Sequence, residues 1–378
     1  MTSEGQAAPR NIPVSAPDLS GNEQAYVLDA VRSSWISSIG PYIERFERDF
    51  GALSGTRVAI PTANGTVALH LALLALDLQP EDEVIVPALT YIATANAVRY
   101  VGAEPVFVDV DPASWCIDPA AIEAAVTPRT RGIIAVHLYG HPADMDAIRA
   151  VAERYGLWIV EDAAEAHGAR YRDRPVGGLG TIGTFSFYGN KIVTSGEGGA
   201  VTLDDPALEA RVRLLRGQGM DPARRYFFTI VGYNYRLTNV ACAILCAQLE
   251  RLDSILAWRR ELFTAYRGAL AGIPGLAFQP VAAWAEPAPW LFCLTVDEAA
   301  YGHSRDGLMA ILDEEAIETR PFFRAIHRLP PYVGRPGALT DLAVTDRLAA
   351  SGLNLPTGFG TSAADVRRVA DVIARNAR

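Results

Sequence analysis

The chain has 378 residues, half of them hydrophobic, and its 43 acidic against 34 basic residues leave a formal charge of -9 with histidine neutral. That length is ample for a large core, built as two or three domains or as one large domain with a smaller one. No basic block or stripe stands out, which argues against a nucleic-acid surface, and no run of about 18 apolar residues is available to cross a membrane. Four cysteines, Cys116, Cys242, Cys246 and Cys293, lack C-x-x-C spacing and read as buried free thiols, not as a metal site or a disulfide. An N-terminus without an apolar core completes the expectation of a soluble cytoplasmic protein.

Residues 1–17, with prolines at 9, 13 and 17, read as an extended N-terminal arm. Asn22–Ser34 sets Tyr26, Val27, Ala30 and Val31 on one helical face. The irregular segment WISSIGP, Trp35–Pro41, suits either a ligand-facing loop or a plain connector to a second helix at Tyr42–Leu53. From Val58 strands and helices alternate. VAIPTANGT gives a strand and turn, Thr66–Leu76 an apolar helix, Asp82–Pro87 a strand, Thr90–Val101 a helix and Pro105–Val110 a strand. Asp118–Ala125 (helix), Gly132–Gly140 (strand), Met145–Tyr155 (helix) and Leu157–Ala163 (strand) continue the series. Near-continuous apolar strands separated by helices predict an α/β domain with a mostly parallel sheet covered on both faces.

Arg211, Arg213 and Arg216 share a helix and read as a solvated face. A long helix over Asn239–Leu270 then acts as a spine between domains. The remainder is a smaller α+β domain, with a strand at Leu291–Val296, a helix at Arg305–Glu315, an irregular stretch over Arg320–Pro336 and two more helices. The expected division is 1–17 for the arm, 18–250 for the large domain, and 251–378 for the rest of the spine and the small C-terminal domain.

Ligands of such sheets gather at the carboxyl ends of the strands, where three polar sequences fall. Asn64-Gly65-Thr66 opens a helix, whose free amides and dipole favour an anion such as a phosphate; the same residues also read as an ordinary helix cap. Asp162 ends an apolar strand behind Glu161, and a dry carboxylate there calls for a cation, either the protonated ring nitrogen of a heteroaromatic cofactor or an arginine. In GTFSFYGNKIVTSGEGGAV, Gly183–Val201, Lys191 stands between an aromatic run and a glycine-rich turn that permits close backbone packing. It is a candidate covalent nucleophile, able to form a Schiff base with a cofactor and then to move a proton between substrate Cα and the cofactor's C4′ carbon. Tyr91, in PALTYIATAN, reads either as an aromatic face near another strand end or as a core aromatic.

The segments NGTVALHLAL, VPALTYIATANAV, HLYGHPADMD, EDAAEAHGA, FSFYGNK, GEGGAV, RGQGM and GYNYRLTN follow one another within residues 20–360. With them the chain resembles the DegT/StrS-type family of pyridoxal-phosphate sugar aminotransferases, and FSFYGNK with GYNYR is similar to the GDP-perosamine branch. The resemblance implies a type I PLP aminotransferase fold, a large, mostly parallel seven-stranded sheet domain plus a smaller α+β C-terminal domain, working as a homodimer. It implies pyridoxal 5'-phosphate as cofactor, passing through the pyridoxamine 5'-phosphate form, with L-glutamate as amino donor, a nucleotide-linked 4-keto-6-deoxy sugar as acceptor, and no metal.

Residue by residue, the resemblance makes Lys191 the Schiff-base lysine, Asp162 the partner of the pyridine nitrogen and Tyr91 the aromatic stacked on the ring. Gly65, Thr66 and Ser186 become the phosphate cradle, and Asn234 the residue lent to that phosphate by the neighbouring subunit. Glu165 stands beside the cofactor where the family often has glutamine. Trp35, Ser37 and His327 are expected to contact the sugar or nucleotide. RPFFRAIH, with its Arg324, and YFFTIVGYN depart from the branch's pattern, so the base and ketosugar stay open: a dTDP- or UDP-linked 3- or 4-keto sugar or a keto-cyclitol is the alternative. A cofactor-binding regulator without turnover is a third reading, against which the intact lysine, aspartate and asparagine speak.

Overall fold

The computed structural model describes residues 10–335 and 342–378. The first nine residues of the expected arm and Pro336, at the end of the irregular stretch, lie outside the described residues. In chain order the strands are β1 (Val58–Thr62), β2 (Glu83–Pro87), β3 (Glu104–Val108), β4 (Thr130–Val136), β5 (Trp158–Asp162), β6 (Arg170–Tyr171), β7 (Arg174–Pro175), β8 (Ile182–Ser186), β9 (Gly199–Leu203), β10 (Leu276–Phe278), β11 (Ala285–Glu286), β12 (Phe292–Val296), β13 (Arg320–Pro321) and β14 (Gly352–Leu355).

Seven of them make one sheet in the order β1-β9-β8-β5-β4-β2-β3. Every neighbouring pair from β8 to β3 is parallel, while β9 runs against both β1 and β8. This is the mostly parallel seven-stranded sheet expected. Every residue of β1, β2, β8 and β9 is buried, the signature of strands covered on both faces. One cover is the helix Gly65–Ala75, buried from Ala68 through Leu73 and packed on β8 and β9. The helix Met145–Tyr155 has its start capped by the Asp144 carboxylate and its end turned by Gly156 at φ 67, where a side chain would be strained.

A second, antiparallel sheet, β10-β12-β14-β13, has its own apolar cluster, including Tyr266, Phe292, Leu308 and Ile373, formed with the helices Leu252–Leu270, Arg305–Glu314 and Ala363–Arg375. The short strands β11, β6 and β7 form a third sheet.

Several local expectations need correction. The spine is two helices, Asn239–Glu250 and Leu252–Leu270, interrupted at Arg251 (φ -114, ψ 5), whose guanidinium is held by Asp18 at 2.6 Å. The described part of the arm is extended but docked: Ile12 and Val14 are fully buried, and Ile12 bridges to Ile317. The strand expected to reach Gly140 stops at Val136, and a 3-10 turn, Leu138–Gly140, follows with Tyr139 at φ 53. Arg213 and Arg216 do not form a solvated face. Arg213 clasps Glu47 through both terminal nitrogens, and Arg216 is largely buried, donating to the Pro61 carbonyl at 2.7 Å.

The loop between the first two helices is fastened by one buried side chain. Asn239 Oδ1 accepts from the amides of Tyr42 (3.0 Å) and Ile43 (3.3 Å), its Nδ2 donates to the Trp35 carbonyl (2.7 Å), and its amide donates to the Ser37 carbonyl (2.6 Å). Replacing it with alanine removes the side-chain bonds and leaves the Tyr42 amide without this acceptor, while the Ile43 amide keeps the Gly40 carbonyl at 3.2 Å, so Asn239→Ala should cost about 2 kcal/mol of unfolding free energy. Denaturant titration checks this, and a change below about 0.5 kcal/mol would show that the loop does not depend on this side chain.

Candidate active site

The carboxyl ends of β1, β2, β4, β5 and β8 open on a cavity of ≈ 500 Å3, lined by Gly65, Thr66, Tyr91, Asp162, Glu165, Ser186 and Lys191 among others. Residues separated by well over a hundred positions are thus brought to one place, as the strand-end rule demands.

One corner suits an anion. Asn64 does cap the helix, its Oδ1 accepting from the Val67 amide at 3.0 Å, so the cap reading of this turn holds. The cap leaves the amides of Gly65 and Thr66 without intrahelical acceptors, and both residues line the cavity. A Cβ on Gly65 would stand 2.6 Å from the Ser186 Cβ, so glycine is what lets the helix start and the end of β8 approach each other.

The opposite side is anionic. Asp162 Oδ2 accepts from the Thr94 hydroxyl at 2.7 Å and Oδ1 from the Ala164 amide at 3.3 Å. No arginine pairs with it among the described residues. Burial raises its pKa, with the Thr94 and Ala164 donors and the nearby Lys191 and His137 opposing. Its neighbour Glu161 is fully buried on the other face and accepts from His137 Nε2 (3.0 Å) and from the amides of Gly177 (2.8 Å), Leu179 (2.6 Å) and Gly180 (2.7 Å). Burial pushes that carboxyl up, but His137 and the amides more than offset it and hold the group below its ordinary value.

Lys191 is the only lysine in the chain. Its loop is pinned by the Lys191 amide to the Tyr188 carbonyl (2.9 Å) and by the Asn190 carbonyl, which accepts from Trp290 Nε1 (2.8 Å) and the Ser15 hydroxyl (3.4 Å). Nζ lies 4.0 Å from the Trp290 ring centre and 4.0 Å from Glu165 Oε1. Burial lowers its pKa; the Glu165 and Asp162 carboxylates pull the other way, and Arg320 adds to the lowering. Glu165 Oε2 accepts from the Tyr139 amide at 2.7 Å. Burial pushes its carboxyl up to about 7, against the pull of Lys191 and that amide.

Tyr91 is 58% exposed, its ring 5.8 Å from that of Phe323, so the core reading of this tyrosine is excluded. Four other expected residues do not line this cavity. Asn234 is exposed, its backbone bridged to Gly217. Trp35 and Ser37 lie on the loop fastened by Asn239. His327, expected to contact substrate, is buried in a 3-10 turn with Nε2 3.4 Å from Asp346 Oδ1, and a side chain enclosed there does not face the cavity. Conversely, Thr94, Asn190, Trp290 and Arg320 line the cavity without having been singled out as contacts. Thr94 sat inside a segment noted only for Tyr91, and Trp290 sits 99 positions beyond the lysine it covers, a pairing that spacing does not reveal.

Residues 17–374 match the DegT/DnrJ/EryC1/StrS aminotransferase family, and the chain belongs to it. It is a pyridoxal-phosphate-dependent sugar aminotransferase. It is 49% identical to the GDP-perosamine synthase of Caulobacter vibrioides, over 95% of this chain and 96% of that protein. It is 41% identical to the GDP-perosamine synthase of Escherichia coli O157:H7, over 92% and 93% of the two. Among solved structures, DesI in the presence of its TDP-sugar product superposes with a TM-score of 0.90 at 36% identity, covering 98% of this chain and 93% of that one. The cavity fits the cofactor: a buried amine, a buried carboxylate with acceptor capacity to spare, and a glycine-floored anion corner face the same space.

Glu161 supplies a pH test. A carboxyl held below its ordinary value by folding contributes stability that is full above that value and is lost as the pH falls. Glu161→Gln should therefore be less stable than wild type by about 2 kcal/mol or more at neutral pH, with the gap shrinking below about pH 4. Urea unfolding at neutral and acid pH measures it, and a gap of constant size would exclude an ionised Glu161.

Proposed function

We propose that the chain transfers the amino group of L-glutamate to a GDP-linked 4-keto-6-deoxy sugar, giving a product of the GDP-perosamine type. The observation that carries the reading is Lys191, a lone buried amine set in the same cavity as Asp162 and the Gly65 corner, in a chain 49% identical to a GDP-perosamine synthase. Pyridoxal phosphate, when bound, supplies an electron-withdrawing ring that makes the substrate's Cα proton acidic. Asp162 would hold a proton on the ring nitrogen, since a buried carboxylate is most stable beside a cation. The amides of Gly65 and Thr66, with the Ser186 hydroxyl, would hold the phosphate. Tyr91 would cover the ring. Lys191 would anchor the cofactor and, once displaced by the donor amine, move the proton at substrate Cα.

The chain acts as a homodimer in this reading, with Asn234 reaching the phosphate bound by its neighbour. Its exposure away from its own cavity supports that, as does the cluster of exposed apolar side chains on the same segment, Tyr226, Phe227, Phe228, Ile230 and Val231. Trp35 and Ser37, also outside the cavity, would meet the sugar nucleotide from the partner in the same way.

Amination of GDP-, dTDP- and UDP-linked keto sugars with glutamate, read by mass spectrometry, tests the substrate. The GDP-linked 4-keto sugar should react fastest; preferential turnover of a dTDP-linked sugar would favour the alternative that the likeness to DesI supports. Lys191→Ala should lose turnover by at least about 10³-fold, because anchor and base vanish together. Mixing Lys191→Ala with Asn234→Ala subunits should restore part of the activity in hybrid dimers, and the absence of any recovery counts against a shared site.

A further inference from the structure

Glu165 is an acid in a place where neither of its charge states is comfortable. It is 5% exposed, and among the described residues the Tyr139 amide is the one hydrogen-bond donor to its carboxyl. The groups facing it are Lys191 on the loop after β8, Asp162 at the end of β5, Tyr139 on the 3-10 turn, and the thiols of Cys116 and Cys293. Burial raises the Tyr139 hydroxyl and the Cys293 thiol well above their ordinary values and pushes the Cys116 thiol up to about 12, so these three stay neutral. Around Lys191, burial pushes His167 down to about 3, leaving it neutral too, while Arg320 adds a positive charge and Asp162 a negative one. Of the two carboxyl groups near Lys191, Glu165 is the one whose oxygen stands 4.0 Å from Nζ, and it is the group placed to exchange a proton with the amine.

We propose that Glu165 is a positioning residue that acts through Lys191: its carboxylate keeps the proton on Nζ, and by accepting that proton it releases the amine as a nucleophile. In the step the N–H bond breaks and an O–H bond forms. The ammonium becomes an amine with a free lone pair, and the carboxylate becomes a neutral acid. No other bond changes. Two buried charges disappear together, which a dry site favours over losing either alone. At 4.0 Å the two atoms stand just outside hydrogen-bond range, and rotation along the lysine stem closes that gap without movement of the backbone. A proton shared in this way makes titration of the amine a property of the pair. Burial pushes Glu165 up toward neutrality and Lys191 down, so the two titrations approach each other.

The inference rests on Lys191 being the amine that engages the cofactor, and its test needs neither cofactor nor sugar, so the two readings can fail separately. Because the chain has a single lysine, reductive methylation with formaldehyde and cyanoborohydride reports one ε-amine, resolved from the N-terminus by peptide mass spectrometry. Full-length, cofactor-free wild type and Glu165→Gln are labelled across pH. Glutamine still accepts from the Tyr139 amide but carries no charge. Wild-type labelling of Lys191 should rise over a broad range in two steps. The variant should show one step with its midpoint at least one pH unit lower, giving about tenfold more labelling on the lower flank of the wild-type curve. Should the glutamine variant fail to fold, Glu165→Asp keeps the charge but draws it back, and the midpoint should move down by a smaller amount. A midpoint that stays in place or moves up in either variant overturns the proposal.

Discussion

Everything at the carboxyl edge of the large sheet follows from keeping one amine and two carboxyl groups largely out of water in the same small space. Asp162 and Glu165 are buried and Lys191 is nearly so, and desolvation works against the charged form of each. Such a set is tolerable when its members neutralise one another and when the surroundings are too rigid to let them separate. The sheet provides that rigidity. β5 and β8 are adjacent and parallel, and the backbone register that pairs Asp162 with Thr184 fixes the distance between the aspartate and the strand leading into the lysine loop.

Two neighbouring acids show how the same functional group is used in opposite ways. Glu161 and Asp162 are consecutive, so their side chains leave the strand on opposite faces. Glu161 meets His137 and the amides of a tight loop, and its oxygens are saturated; it behaves as a fastener of the Gly177–Gly180 turn. Asp162 meets one hydroxyl and one amide and keeps lone pairs turned toward the cavity. Under-satisfaction at a buried carboxylate is costly, and a cationic guest in the cavity would relieve it.

Much of this was legible in the sequence because each piece is local. Alternating apolar strands and helices point to the α/β sheet, and Asn64-Gly65-Thr66, Glu161-Asp162 and Ser186–Lys191 read as strand-end segments, the family resemblance supplying the count of seven strands. What stayed hidden depends on contacts between distant segments. The break at Arg251 comes from its tie to Asp18, far away in sequence, so helical propensity runs straight through it. His327 looked like an available polar side chain in a proline-rich stretch, but tertiary packing encloses it against Asp346. Trp290 stands just outside the strand read at Leu291–Val296, and that its ring lies over Lys191 follows from a chain crossing that no local pattern marks.

The Asn190 carbonyl bears on the order in which the molecule takes shape. It is gripped by Trp290 from one side and Ser15 from the other, so the loop bearing the lysine is bracketed by groups near the chain's beginning and well past its middle. Contacts of such wide sequence separation form late, after their loop-closure entropy has been met by other packing. A ribosome-bound chain could therefore complete most of the parallel sheet while its amine still hung in a loosely formed loop. Final placement of the Lys191 loop is thereby coupled to synthesis of the chain through Trp290, so a shorter nascent chain does not hold the amine in its native setting.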